Sequence, residues 1–389
     1  MTTVSESAVP AAVTPRPSSS RDRRGSPIPT ASMITTRIME LRKRRGLMVA
    51  LVLVNIGIPS LFLLIRLLAH AFDPKSYGPA GGYSIYTALS AGVIYVFGFI
   101  VAATLGCTAG SVDLTEGMFR HLVVTGRSRL ALYLARIPAG LAIIVPLVAV
   151  GFTIVCAVCT FAAPTRLNYD GVTVPAGLSR PALETWAANH ADEVICDFGY
   201  NGAGLPVPCG PNGAVGVIVK GGGGGAPAPS LPSLARRKAF AVQVAKQDYA
   251  NYADQFLSPP VSLMIKTGLW IELEAAAGLL VGLGLASLIG QRTVAVILMI
   301  VLEIVLTPIF SRARIPHLLN LQRSVIGVAV AHLAPGGIPV LGGGGGGPGG
   351  GQGNPGLIPE STTVAVCVIV AWLVVWTALG AWRMMTRDA

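Results

Sequence analysis

Six runs of about twenty apolar residues govern what this chain can become. They cover roughly 47–68, 84–109, 134–162, 261–289, 293–310 and 363–382, and each meets the length of about 20 residues that a helix needs to cross a bilayer. Inside hydrocarbon every backbone N–H and C=O has to be satisfied within the segment, which leaves the helix as the form for isolated runs of this length. The fourth and fifth runs are separated only by Gly290-Gln291-Arg292, which reads as a tight helical hairpin, because a single merged helix would be far longer than any membrane is thick. Charged residues make up 12% of the chain, about half the share of a soluble domain. The expected fold is an all-α integral membrane protein with six transmembrane helices.

The net charge of +11 belongs to this membrane reading rather than to nucleic acid, for which no recognition motif is present. Cationic loops fix topology and meet anionic headgroups. Arg42, Lys43, Arg44 and Arg45 precede span one, Arg120, Arg127 and Arg129 lie between spans two and three, Arg292 lies between four and five, and Arg383 and Arg387 follow six. With six spans these groups share one side. That side is expected to be the cytoplasm, so both termini are placed inside a bacterial cell membrane. Arg312, Arg314 and Arg323 fall on the opposite side, in a longer loop where the rule is weaker. Residues 1–31 are rich in Ser, Thr, Pro and Arg and read as a disordered cytoplasmic tail. Arg23-Arg24 is too far from the first apolar run, and that run too long, for a cleaved signal.

Between spans three and four, residues 164–260 form a long extracytoplasmic loop. It holds Gly221 to Gly225 followed by Ala-Pro-Ala-Pro, a flexible linker with no Gly-Lys-Ser/Thr to make it a phosphate loop. Cys196 and Cys209 are the two cysteines outside the spans, and a disulfide between them fits an oxidising compartment. Residues 233–256, beyond the glycine run, have helical spacing and enough charge to lie on the membrane surface. Cys107, Cys156, Cys159 and Cys367 fall inside spans, where the Cys156-x-x-Cys159 pair reads as packing rather than redox chemistry. Residues 261–312 hold the hairpin of spans four and five. In 313–362, residues 315–333 predict a short external or re-entrant helix, and 342–353 is low-complexity. Residues 363–389 hold span six and the C-terminus.

One polar stretch, Gly110 to Arg129, is trapped between spans two and three. Asp113 and Glu116 have the spacing of a capping box, and Leu114, Met118 and Leu122 recur at helical spacing. Gly126 is a natural stop. The pattern fits an interfacial helix whose acids cap it and whose arginines hold topology, and equally a helix presented to a soluble partner. A second amphipathic helix leads into span one: Met33, Ile34, Ile38 and Leu41 share one side, and Arg37, Glu40 and Arg44 another, the layout of a helix lying in the headgroup plane.

The series Asp113-x-x-Glu116-Gly117-x-x-Arg120-x-Leu122, then Thr125-Gly-Arg-Ser-Arg129 and Tyr133-Leu-Ala-Arg136, together with the lead-in helix and six spans, resembles the ABC-2 type permeases, the membrane half of bacterial ABC exporters. The specific motif covers about 111–136, and the long loop after span three departs from the family's short connection. The resemblance implies a coupling helix at 111–125, with Asp113, Glu116, Gly117, Arg120, Leu122, Arg127 and Arg129 docking on a separate ATP-binding subunit. It further implies an external helix between spans five and six, and two copies or a pair of related permeases enclosing a path for a drug, lipid or other small amphiphile. This chain has no P-loop, so ATP and Mg would be held by the partner subunit and this chain would be no enzyme and carry no cofactor of its own.

Ionisable groups inside spans are functional hypotheses in their own right. Glu303 lies in the middle of span five and, with Asn55 of span one, is the expected substrate path. Glu272 and Glu274 of span four point to nearly opposite helix faces, and an outer-interface position is expected for both. Glu303 as a proton carrier defines a rival reading, a proton-coupled secondary transporter, against which the lack of an internal repeat counts. A non-transporting membrane scaffold built on the 164–260 loop is the third. No acid, base or metal-binding cluster gathers at one depth.

Overall fold

The computed structural model describes residues 27–73, 77, 80–115, 128–164, 166–169, 172–175, 177–198, 233–254, 258–312, 317–336, 338 and 360–386. Its order is α1 (Ala31–Lys43), span one α2 (Arg45–Phe72), span two α3 (Tyr83–Val112), span three α4 (Arg129–Phe161), strands β1 (Arg166–Tyr169) and β2 (Val172–Pro175), α5 (Arg180–Asn189), α6 (Ala191–Phe198), α7 (Leu234–Asp254), span four α8 (Val261–Ile289), span five α9 (Arg292–Phe310), α10 (Leu319–Arg323), α11 (Ile326–His332) and span six α12 (Thr362–Thr386). Six of these helices are long and apolar enough to cross a membrane. Spans four and five are separate helices: Gly290 takes the left-handed conformation, φ 79°, and its N–H returns to the Ala286 carbonyl at 2.8 Å, the usual glycine stop.

Span four is the hub. Of its most apolar window 72% is buried, against 22% for spans one, five and six. It packs most extensively on span two, then on six, three and five. Lipid tails are as apolar as leucine, so close backbone approach through small residues has to hold such a crossing together. Gly106 of span two supplies it: a Cβ there would overlap the Leu279 carbonyl of span four. Around the crossing lie Phe99, Ala103, Leu105, Ala277, Leu279 and Leu283, all fully buried.

Three spans contain a π-helical stretch: Leu53–Gly57, Ala88–Tyr95 and Val301–Leu306. Two have a sequence cause. Pro59 and Pro308 follow within a few residues, and a proline cannot donate to the carbonyl four residues back, here Asn55 and Ile304. The helix widens by one residue to accommodate the lost bond, a distortion often found at functional sites.

The two described chain ends lie at one end of the bundle. Met33 of α1 packs with Ala131, Leu132 and Ala135 of span three, and the Arg129 guanidinium donates to the Met385 carbonyl of span six at 3.1 Å. The loop between spans three and four adds something to the all-α expectation. Its β1 and β2 pair antiparallel, Arg166 opposite Pro175, and α5, α6 and α7 enclose a small core of Val174, Leu183, Ala187, Ala191, Val194, Ala241, Ala245 and Tyr252. The helix expected at 233–256 is α7, which packs against α5 and α6. Arg237 pairs with Asp192 across that contact. The Gly221–Gly225 linker, Cys209 and 342–353 lie outside the described residues. Cys196 falls within α6, and its side chain is likewise outside them.

Candidate functional site

At the terminal end of the bundle, the stretch singled out in the sequence is described only at its flanks. The helix of span two continues to Thr115, so the backbone of Asp113 sits in its last turn, and the side chain of Asp113 lies outside the described residues. The helical ladder runs on through Ser111, whose hydroxyl donates back to the Cys107 carbonyl at 2.8 Å. Glu116, Gly117, Arg120, Leu122 and Arg127 lie outside the described residues. On the far flank, Ser128 caps span three by accepting from the Ala131 N–H at 3.1 Å, and Arg129 reaches span six as described above. Arg136, quoted in the sequence motif without a role of its own, is buried and donates to the Gly110 carbonyl at 3.1 Å. Ser287 of span four donates to the same oxygen at 3.4 Å. Spans two, three and four are therefore tied at one carbonyl, at the start of the polar stretch.

The two expected path residues, Asn55 and Glu303, are both buried. Asn55 is buried with its Nδ2 donating to the Leu51 carbonyl at 2.9 Å. It faces Gly98 of span two, and its own carbonyl abuts Gly151 of span three. It sits in the joint of spans one, two and three, at the π-helical stretch.

Glu303 has one polar neighbour, Thr307 of its own helix, among the described residues. It sits in the π-helical stretch of span five, 1% exposed. Glu274 of span four is also 1% exposed, as is the Tyr95 side chain of span two. Glu274 is enclosed by neighbouring helices, while Glu272 is half-buried. The reason is the central place of span four: four other spans cover most of its circumference, so even its polar side turns inward. Tyr95 stacks on Trp270, with ring centroids 4.2 Å apart and planes 8° apart. The Trp270 indole N–H donates to the Val330 carbonyl of α11 at 2.8 Å. Above Glu303, α11 comes down at Gly327, where a Cβ would lie 2.7 Å from Glu303 Oε2 and would overlap Thr307.

The polar atoms here are poorly served. Both Glu274 oxygens, Glu303 Oε1 and the Tyr95 hydroxyl are buried and have no hydrogen-bond partner among the described residues. Thr307 Oγ1 is 3.4 Å from Glu303 Oε2, but its one proton goes to the Leu302 carbonyl at 2.9 Å. A second polar group closes the loop end of the bundle. Glu360 lies 3.4 Å from His332 Nδ1, and burial pushes its carboxyl up against the opposing pull of His332 and Arg323.

Among the described residues no three His, Cys, Asp or Glu side chains are grouped to hold a metal ion. The fold and this interior define a multi-pass helical membrane protein with ionisable groups buried at its centre. No protein-family model, no curated protein and no solved structure matches the chain.

Proposed function

We propose that this chain is the membrane subunit of an ABC-2 type exporter, driven by a separate ATP-binding polypeptide and moving a small amphiphile such as a drug or lipid. The observation that carries the reading is the anchoring of the 116–127 segment. Its two flanks are the ends of spans two and three, and both are fastened to span four through the Gly110 carbonyl by Arg136 and Ser287. A push on that segment is passed to the hub of the bundle. The lead-in helix α1, seated on the start of span three, and the short helices α10 and α11 between spans five and six are further features that the family resemblance implies.

In this reading the ends that carry the termini face the cytoplasm, the ATP-binding subunit docks on Glu116, Arg120 and their neighbours, and two membrane subunits enclose the path. ATP-driven closure of the partner subunits tilts spans two and four together, because the Gly106 crossing leaves no room for them to slide. Glu116→Ala and Arg120→Ala are expected to reduce ATP-dependent efflux by at least about tenfold, the effect of one lost charge-assisted contact, while membrane insertion is unchanged. Efflux and ATPase activity are measured with the co-purified ATP-binding subunit. Normal efflux in both variants, or purification without any ATP-binding protein, overturns the assignment.

A further inference from the structure

The junction between α1 and span one carries a charge pattern that the exporter reading does not use. Arg42, Lys43, Arg44 and Arg45 are consecutive. α1 ends at Lys43, and Arg44 leaves the helical conformation at φ −79°, ψ 73°. Its N–H closes the last turn on the Leu41 carbonyl at 3.1 Å, and span one starts at Arg45. A single residue makes the elbow, and the four cations crowd around it. Between Pro27 and Phe72 the chain has one acid, Glu40, and Arg37 engages it at 2.6 Å. Arg42, Lys43 and Arg45 are exposed, and Arg44 is half-buried.

The packing holds this cluster in place. Met33 seats α1 on the start of span three, and Leu41, next to the cluster, belongs to the main core. The elbow is thus a fixed rim of the bundle. Below it, span one offers an apolar strip in line with the charge. Arg45, Val49, Val52 and Leu53 follow at the i, i+4, i+7, i+8 spacing that puts residues on one side of a helix. The three apolar members are 64%, 46% and 57% exposed. A cation at the head of an uncovered apolar strip matches an amphiphile in both its parts, a phosphate above and an acyl chain below. A nucleic acid, an acidic peptide or a free phosphate would use the rim and leave the strip bare.

We propose that the elbow of α1 and span one is a binding site for an anionic phospholipid, its phosphate held by Arg42, Lys43 and Arg45 and its acyl chain laid along Val49, Val52 and Leu53. A basic cluster of this size beside a membrane helix attracts anionic headgroups, each cation contributing about fivefold in affinity. Orienting a span needs positive charge only on the correct side of the membrane. Holding a lipid needs it at this one place, above the strip. The site stands whether or not an ATP-binding partner drives the protein.

The test is electron spin resonance of the full chain in phosphatidylcholine liposomes, with a trace of spin-labelled phosphatidylglycerol or, in parallel, spin-labelled phosphatidylcholine. The motionally restricted fraction is expected to be larger for the anionic label, and the excess to shrink as salt is raised. Replacing Arg42, Lys43 and Arg45 together by Gln is expected to remove most of the excess. Arg45→Gln alone, expected to weaken the association about fivefold, serves if the triple variant does not insert. Arg42→Lys with Arg45→Lys keeps the charge and is expected to keep the excess. A control triple, Arg180→Gln with Arg236→Gln and Lys238→Gln, removes three exposed cations of the loop between spans three and four and is expected to leave the excess unchanged. No excess in the wild type overturns the proposal. Equal losses in the two Gln triples also overturn it, since net charge and not the elbow then selects the lipid. Displacement of the label by inorganic phosphate at matched ionic strength overturns it as well, and assigns the rim to a free anion. Efflux is not read in this experiment, so failure of the exporter reading and failure of the lipid site are told apart.

Discussion

Trp270 joins three elements through one side chain. Its ring stacks on Tyr95 of span two, its backbone belongs to span four, and its indole N–H fixes α11 by the Val330 carbonyl at 2.8 Å. Trp270→Phe keeps most of the stacking surface and removes the donor. The Val330 carbonyl still accepts from the Leu333 N–H at 3.0 Å, so the loss is that of one hydrogen bond, about 0.5–1.5 kcal/mol, and the variant is expected to melt at a slightly lower temperature in detergent. Hydrogen exchange should rise in 326–332 and not in span two. Unchanged exchange in α11 would show that packing at Gly327, and not the indole, holds α11 in place. The two glutamates beside it differ in how far the sequence revealed them. Glu303 stands alone in an apolar run, and a lone carboxyl at mid-span is visible to anyone counting. Glu274 has Glu272 two residues away, and on a helix apolar all round no moment tells which of two acids turns inward. Tyr95 and Trp270 gave no signal, since aromatic residues at helical spacing are ordinary core.

Among the elements, the 164–260 loop is where reading and structure diverge. Its apolar residues are divided between pieces on either side of the glycine run, and neither stripe names its counterpart. Val174, Leu183 and Val194 on one side find Ala241, Ala245 and Tyr252 on the other, a pairing set by tertiary contact and not by periodicity. Tyr252 closes the unit. Its hydroxyl donates to the Pro175 carbonyl at 2.6 Å and accepts from the Leu178 N–H at 2.9 Å, and burial pushes that hydroxyl up, so it stays neutral and able to do both. Tyr252→Phe leaves both backbone groups wanting and is expected to weaken the unit by about 1–3 kcal/mol. Limited proteolysis near Leu178 should speed up while the spans remain protected. A protease pattern identical to wild type would mean that the helix pair alone holds the loop. The π-helical stretches, by contrast, were half-legible. Pro59 and Pro308 announce a fault in their helices, whereas Ala88–Tyr95 has no proline and could not be read in advance.

For the molecule as a whole, span number is legible because transfer into lipid is a local property of each run, and packing order is not. The position of span four at the centre depends on which small residues meet, as at Gly106 and Leu279, and every span offers such residues. Spans one, five and six remain mostly uncovered. Leu61, Leu64 and Ile65 of span one, Ile297 and Ile304 of span five, and Val370 and Val374 of span six are all exposed. Such apolar faces suit lipid, and in the proposed exporter part of them suits a second copy. Sidedness rests on the basic clusters, and the fold supplies positions to check it. Ala31 of α1 and Lys238 of α7 are both exposed, and three spans separate them. In a chain whose six native cysteines are replaced, Lys238→Cys is expected to react with a membrane-impermeant maleimide on intact cells, and Ala31→Cys only after permeabilisation. The reverse pattern would invert the molecule and remove the cytoplasmic docking site from 116–127. Reaction of both from the same side would mean an even number of crossings between them, and one of the first three apolar helices would then lie outside the hydrocarbon.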